Sequence, residues 1–194
     1  MKLLPIVFFL FVLVLSQSPL FGQSDSVFTQ FRAAHIKELQ KKFPDIKPQF
    51  FDYDSNWVFY AKVKTYKKNK LKEFPTSDGA LKTYRTYARL TFKFNNKKHH
   101  LYCFQPSPII RIYKNYLFLP LKDSTAPALT YGGGRYLDLK VSNIENNRII
   151  LDFNKLYNPL CSYDDAYSCP IPPPENMLKL KIEAGEKVPL KGSK

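Results

Sequence analysis

Thr83-Tyr84-Arg85-Thr86-Tyr87-Ala88-Arg89-Leu90-Thr91-Phe92-Lys93-Phe94 alternates without a slip. Tyr84, Thr86, Ala88, Leu90, Phe92 and Phe94 share one side of an extended chain, and Thr83, Arg85, Tyr87, Arg89, Thr91 and Lys93 share the other. A strand here has one dry face and one wet face. Working outward, Trp57, Phe59, Ala61 and Val63 alternate with Val58, Tyr60, Lys62 and Lys64. Thr76-Ser77-Asp78-Gly79 and Asn95-Asn96-Lys97-Lys98 carry turn chemistry, which predicts strands over 57–66, 81–94 and 99–105 joined as antiparallel hairpins. Further strands are expected at 109–113, 116–121, 135–142 and 147–154, the last two joined through Asn143-Ile144-Glu145-Asn146-Asn147, with 177–183 as a closing strand.

Only one helix is legible, over 25–43. Asp25 or Ser26 can cap it, Phe28, Phe31, Ile36, Leu39 and Phe43 recur at helical steps, Lys41 and Lys42 suit its negative end, and Pro44 stops it. With no helical pattern between the strands a parallel sheet is excluded, and the expected fold is mainly β: an antiparallel barrel or sandwich with one N-terminal helix packed on it.

Ahead of that helix, Lys2 and the apolar run Leu3 to Leu15 read as a signal peptide over 1–22. The run reaches about 20 Å as a helix, short of a hydrocarbon core of about 30 Å, so export is expected rather than a transmembrane segment in the mature chain. Residues 23–194 then form a single domain, periplasmic or secreted. The 194 residues carry a net charge of +14. Excess lysine protects strand edges, or it draws the protein to an anionic envelope surface or glycan; no nucleic-acid module is present to make nucleic acid a partner.

The densest stretch is Tyr157 to Asn176, where seven residues separate Cys161 from Cys169 and Pro170, Pro172, Pro173 and Pro174 follow. Proline fixes φ, and a disulfide between Cys161 and Cys169 would add roughly 2.5 kcal/mol by closing so short a loop. Such a clamp either presents Tyr163, Asp164, Asp165 and Tyr167 to a ligand or simply closes the end of a barrel.

Gly132-Gly133-Gly134-Arg135-Tyr136-Leu137-Asp138-Leu139, Leu151-Asp152-Phe153-Asn154, Tyr157-Asn158-Pro159 with Cys161 and Tyr163, Cys169-Pro170, Pro172-Pro173-Pro174-Glu175-Asn176 and Ala184-Gly185-Glu186 together resemble a bacterial family catalogued as a domain of unknown function. Phe74 to Gly79 and Leu117 to Asp123 are similar to its earlier blocks, so the likeness spans roughly 70 to 190. It implies no activity, because the family has none assigned. The family often has an arginine after Pro-Glu-Asn, where this chain has Met177.

Polar residues in these blocks are the candidate site. Arg135, Tyr136, Asp138, Asn158, Tyr163 and Asn176 are read as surrounding a pocket for a small polar or anionic ligand, a sugar of the envelope among them, with Arg135, Tyr163 and Glu175 expected to converge. Gly132 to Gly134 could cradle a phosphate, although glycines entering a strand usually make a turn or bulge. Asp152 lies in an otherwise apolar strand and needs a partner. Either it pairs with Arg135, or Asp152 (with Asp138 as the substitute) and Glu175 are the catalytic acid and base of an envelope-glycan hydrolase. His35 stands alone on its helix, and His99-His100 with Cys103 cannot complete a metal site, so no metal and no cofactor is expected. Esterase, zinc-protease and dinucleotide-binding signatures are missing from the sequence.

Overall fold

The computed structural model describes residues 21–189, with the side chains of 21–25 and 67–69 excepted. Apart from its last two residues, the leader read at 1–22 lies outside them. Six strands, β1 (Val58–Pro75), β2 (Leu81–Phe94), β3 (Lys97–Pro106), β4 (Tyr116–Leu121), β5 (Arg135–Lys140) and β6 (Arg148–Asp152), form one antiparallel sheet in the order β5-β4-β3-β2-β1-β6. One helix, α1 (Phe21–Gln40), precedes it. It starts before the expected Asp25 and stops before Phe43, because Lys42 N–H already turns back to Leu39 O at 3.0 Å and Phe43 precedes a proline. None of the described helices is long and apolar enough to cross a membrane.

Asparagine sets the hairpins. Asn95 and Asn96 sit at φ 48° and 60°, and Asn146 and Asn147 at 48° and 57°, the paired left-handed residues that a two-residue hairpin loop requires. The edge strands β5 and β6 are joined by residues 141–147 alone. Five flat strand spacings would separate those edges by about 24 Å, so the sheet curls into a half-barrel. After β6 the chain returns to β5, where Tyr136 N–H bonds Tyr157 O at 2.9 Å and Tyr157 N–H bonds Tyr136 O at 3.0 Å.

The concave face holds the main core, with Ala61, Leu90, Leu101, Leu117, Leu119, Leu137, Leu151 and Phe153 all buried. A second, smaller cluster lies on the outer face of β4 and β5 around Phe118, Tyr136, Cys161 and Cys169.

Two expected strands are not strands. Ile110 to Tyr113 leaves the sheet for a short 3-10 helix over Arg111–Tyr113 with Ile112 73% exposed, since Pro106 and Pro108 remove ladder donors just before it. Residues 177–183 do alternate, burying Leu178 and Ile182, but they run beside the irregular segment after β4, through Leu178 N–H to Lys122 O (2.8 Å) and Ser124 N–H to Leu180 O (2.7 Å). β3 and β4 pair only at Phe104 and Phe118. Beside that pair Pro120 cannot donate, and the Asn176 amide stitches the gap: it accepts from Tyr102 N–H (2.7 Å) and donates to Tyr102 O (2.8 Å) and Pro120 O (2.7 Å).

Candidate functional site

On β5 the alternation sends Leu137 and Leu139 into the core and Tyr136 and Asp138 to the outer face. Asp138 is opposite Phe118 of β4. Its Oδ1 accepts two phenols, Tyr116 at 2.8 Å and Tyr157 at 2.9 Å. This group floors a cleft of about 850 Å³. Phe31, Ala34 and His35 of α1 form one wall, Tyr84 and Phe118 another, and the 157–160 and Tyr167–Pro170 segments a third. Lys42, Lys82 and Lys155 also line it. Lys42 lies over the Tyr167 ring at 5.3 Å, Lys82 donates to Ser168 O at 2.6 Å, and Lys155 is 3.3 Å from Asp152. Each tether leaves ammonium protons for a guest.

Asp138 is open to the cleft, yet the rings around it desolvate it enough to push its carboxyl above the ordinary carboxylate range, with the two phenol bonds and then His35 pulling the other way. Burial first, and then the Asp138 charge, raise Tyr116 and Tyr157 far above an ordinary phenol. The trio therefore keeps both phenolic protons at any physiological pH.

Behind this wall sits a fully buried carboxylate, Glu186. It accepts Asn158 N–H at 2.7 Å and the Tyr163 hydroxyl, and His35 Nε2 lies 3.3 Å from its Oε2. The His35 ring stacks on Phe31 and tilts against Tyr157 at 5.4 Å. Glycine at 185 is obligatory: φ is +76°, and a Cβ would come within 2.6 Å of Leu156 O.

The expected site residues divide. Tyr136, Asp138 and Asn158 line the cleft. Tyr136 also donates to Pro170 O at 2.6 Å, and Asn158 Oδ1 is buried with no partner among the described residues. Tyr163 stands one step back, holding Glu186. Arg135 points the opposite way, into the core, where it pairs with Asp123 at 2.8 Å and donates to the carbonyls of Ile182, Ala184 and Glu186. The expected Arg135 to Asp152 pair is thus replaced by Arg135 to Asp123, because strand parity buries Arg135 with Leu137. Asp152 instead caps a 3-10 turn through Asn154 N–H (3.1 Å) and meets Lys155.

Glu175 pairs with Lys72 on the surface, and Asn176 spends its amide on the β3–β4 gap; neither lines the cleft. Arg135, Tyr163 and Glu175 do not converge. Nor do the two proposed catalytic acids: Asp152 is registered with Val58 at the start of β1, whereas Glu175 pairs with Lys72 near its end, roughly 40 Å along an extended strand. Two acids acting on one glycosidic bond stand within about 10 Å.

The proline loop and the glycine corner do meet. Gly134, at φ +91°, admits no Cβ because Leu121 O and Pro172 Cγ would each be 2.7 Å away. Its N–H closes a turn onto Tyr131 O at 3.0 Å and β5 follows, so the glycines make a turn. Cys161 and Cys169 are free thiols rather than the expected disulfide; they are adjacent, with Cys161 N–H 3.2 Å from Cys169 Sγ. A hydrogen bond from Cys169 holds the Cys161 thiol down to about 6 and raises Cys169, the donor. Cys103 is buried on β3 and pushed up to about 12 by desolvation. His99 stacks on Phe92, while His100 bonds Thr91 Oγ1 at 3.0 Å on the other face. Among the described residues no group of three or more His, Cys, Asp or Glu could hold a metal ion.

Sequence reasoning missed Tyr116, Tyr157 and Glu186 as site residues and set His35 aside as a lone histidine. The signal available was Tyr157 and Glu186 standing inside two of the quoted blocks.

The fold and cleft define a class: a curled antiparallel β domain whose outer face is roofed by one helix. Residues 41–187 match the family model described as protein of unknown function (DUF1684), and the chain belongs to that family. It is similar to a solved structure, the uncharacterized protein from gene locus rrnAC0354 of Haloarcula marismortui determined by solution NMR, at 27% identity and a TM-score of 0.65, over 86% of this chain and 96% of that one. No curated protein matches.

Proposed function

We propose that this is an exported binding protein whose roofed cleft takes a small polar or anionic ligand. The observation that carries the reading is the cleft of about 850 Å³ with one phenol-bonded carboxylate on its floor and three lysines in its lining. A guest hydroxyl or amine is received by Asp138, its flat body lies among the tyrosines, and its anionic group is met by Lys42, Lys82 or Lys155. The unpartnered Asn158 Oδ1 supplies a second acceptor. Acidic fragments of envelope glycan combine these features.

Export to the periplasm or medium rests on the apolar run Leu3 to Leu15. Ligand-observed NMR with 4-hydroxybenzoate and glucose 6-phosphate tests the reading. Saturation transfer is expected to at least one, and Ala34→Trp, which fills the cleft from an exposed helix position, abolishes it. Transfer unchanged in that variant contradicts the proposal.

A further inference from the structure

On the side of the sheet away from the core, β6, β1, β2 and β3 put their wet residues in cross-strand rows. Arg148 of β6 is registered with Lys62 of β1 and Lys62 with Thr91 of β2. Lys64 is registered with Arg89, and Lys93 with Lys98. None of these six cations has a carboxylate ion pair among the described residues. The acids at the margin are Glu145, in the turn before β6, Asp152, already taken by Lys155, and Asp138, which shares a hollow with Tyr60, Arg148 and Ile150 and is held by two phenols. Like charges placed side by side destabilise a sheet, so the arrangement costs the fold something and offers a field in return. Within the rows stands an apolar pair: Tyr60 and Ile150, direct cross-strand partners, are 72% and 52% exposed.

We propose that this outer face docks the protein on an anionic lipid bilayer, with the cations on the headgroups and Tyr60 and Ile150 at the interface. The cation rows lie on the outer side of the curled sheet, and Tyr60, Arg148 and Ile150 rim a hollow of about 570 Å³ at its β6 end. A phosphate backbone gains nothing from an exposed isoleucine, whereas a bilayer interface accepts both an aliphatic and a tyrosine. The surface meets the roofed cleft along Leu137, Asp138 and Lys155, which line hollows on both sides, but its cation rows lie outside the cleft and the proposal does not depend on the cleft's reading.

Flotation with vesicles tests it, using the full chain so that any contribution of residues 1–22 is common to every arm. Vesicles of 30% phosphatidylglycerol in phosphatidylcholine are compared with pure phosphatidylcholine at low and high salt, with single-stranded DNA as a soluble polyanion. Each cation near an anionic surface contributes roughly fivefold, so Lys62→Glu with Lys64→Glu should lower partitioning onto the anionic vesicles at least about 25-fold, leave partitioning onto neutral vesicles unchanged, and leave the circular dichroism intact. Tyr60→Ser with Ile150→Ser should lower the anionic binding that survives high salt. Equal partitioning of wild type and the charge-reversed variant overturns the proposal. So does charge-dependent binding of DNA without binding to vesicles.

Discussion

Tyr136 and Tyr157 exchange both backbone hydrogen bonds, at 2.9 and 3.0 Å, and their rings meet edge to face at 5.9 Å. This one bridge shuts the gap left between β5 and the end of β6, and it also sets the Tyr157 hydroxyl on Asp138. The floor of the cleft and the closure of the half-barrel are therefore the same piece of chain.

Asp138 should report its surroundings through pH. Burial holds its folded pKa above the unfolded value, so the folded protein binds the extra proton and stability falls as pH rises from the ordinary carboxylate value through the folded one. Urea midpoints of the wild type should show that fall and Asp138→Asn should lack it. Tyr157→Phe, which removes a donor to the carboxylate, should move the fall to higher pH and cost about 1 kcal/mol.

Breaking the buried pair should be among the costliest changes available. Arg135→Met strands Asp123 in the core, and urea unfolding should register a loss of about 3–5 kcal/mol. Combining it with Asp123→Asn should cost less than the two single changes added together.

Gly185→Ala should be destabilising by about 1–3 kcal/mol, from the positive φ and the approach to Leu156 O. The displaced carboxylate would be Glu186, so the NMR signals of Tyr163 and His35 should shift more than those of Tyr66, which stacks on Tyr102 on the far side of the sheet.

The thiols should titrate apart. Absorbance of thiolate near 240 nm is expected to show one group ionising with a midpoint near pH 6, and Cys169→Ala should raise that midpoint because the stabilising thiol donor is gone. Cys103 should remain protonated throughout, being buried and pushed up to about 12.

The sheet was legible where local chemistry decides the outcome. Twofold alternation in 88–94 and asparagines at 95–96 and 146–147 mark β2 and two hairpins before any packing is known, whereas a register shift between Thr86 and Ala88 takes Tyr84 out of the dry row that the alternation gave it and sets it on Phe118 in the outer cluster. Leu178 and Ile182 show the limit: alternation foretells which side is buried, while ladder pairing depends on a neighbour, and theirs is irregular chain. The site was legible in part. Asp138 and Asn158 were found as polar residues in the quoted blocks, but Arg135 looked like a ligand group because only the core partners Asp123 and the 182–186 carbonyls reveal what it neutralises. His35 and Tyr116 join the cleft through α1 docking and strand pairing, which no local spacing encodes.

The most direct measurement is an amide chemical-shift titration of the folded chain with 4-hydroxybenzoate and glucose 6-phosphate. Saturable shifts centred on Asp138, Tyr157 and Lys82, lost in Ala34→Trp, are the predicted result. No saturable shift with either probe, or shifts that persist in Ala34→Trp, would contradict the account of the cleft as a binding site.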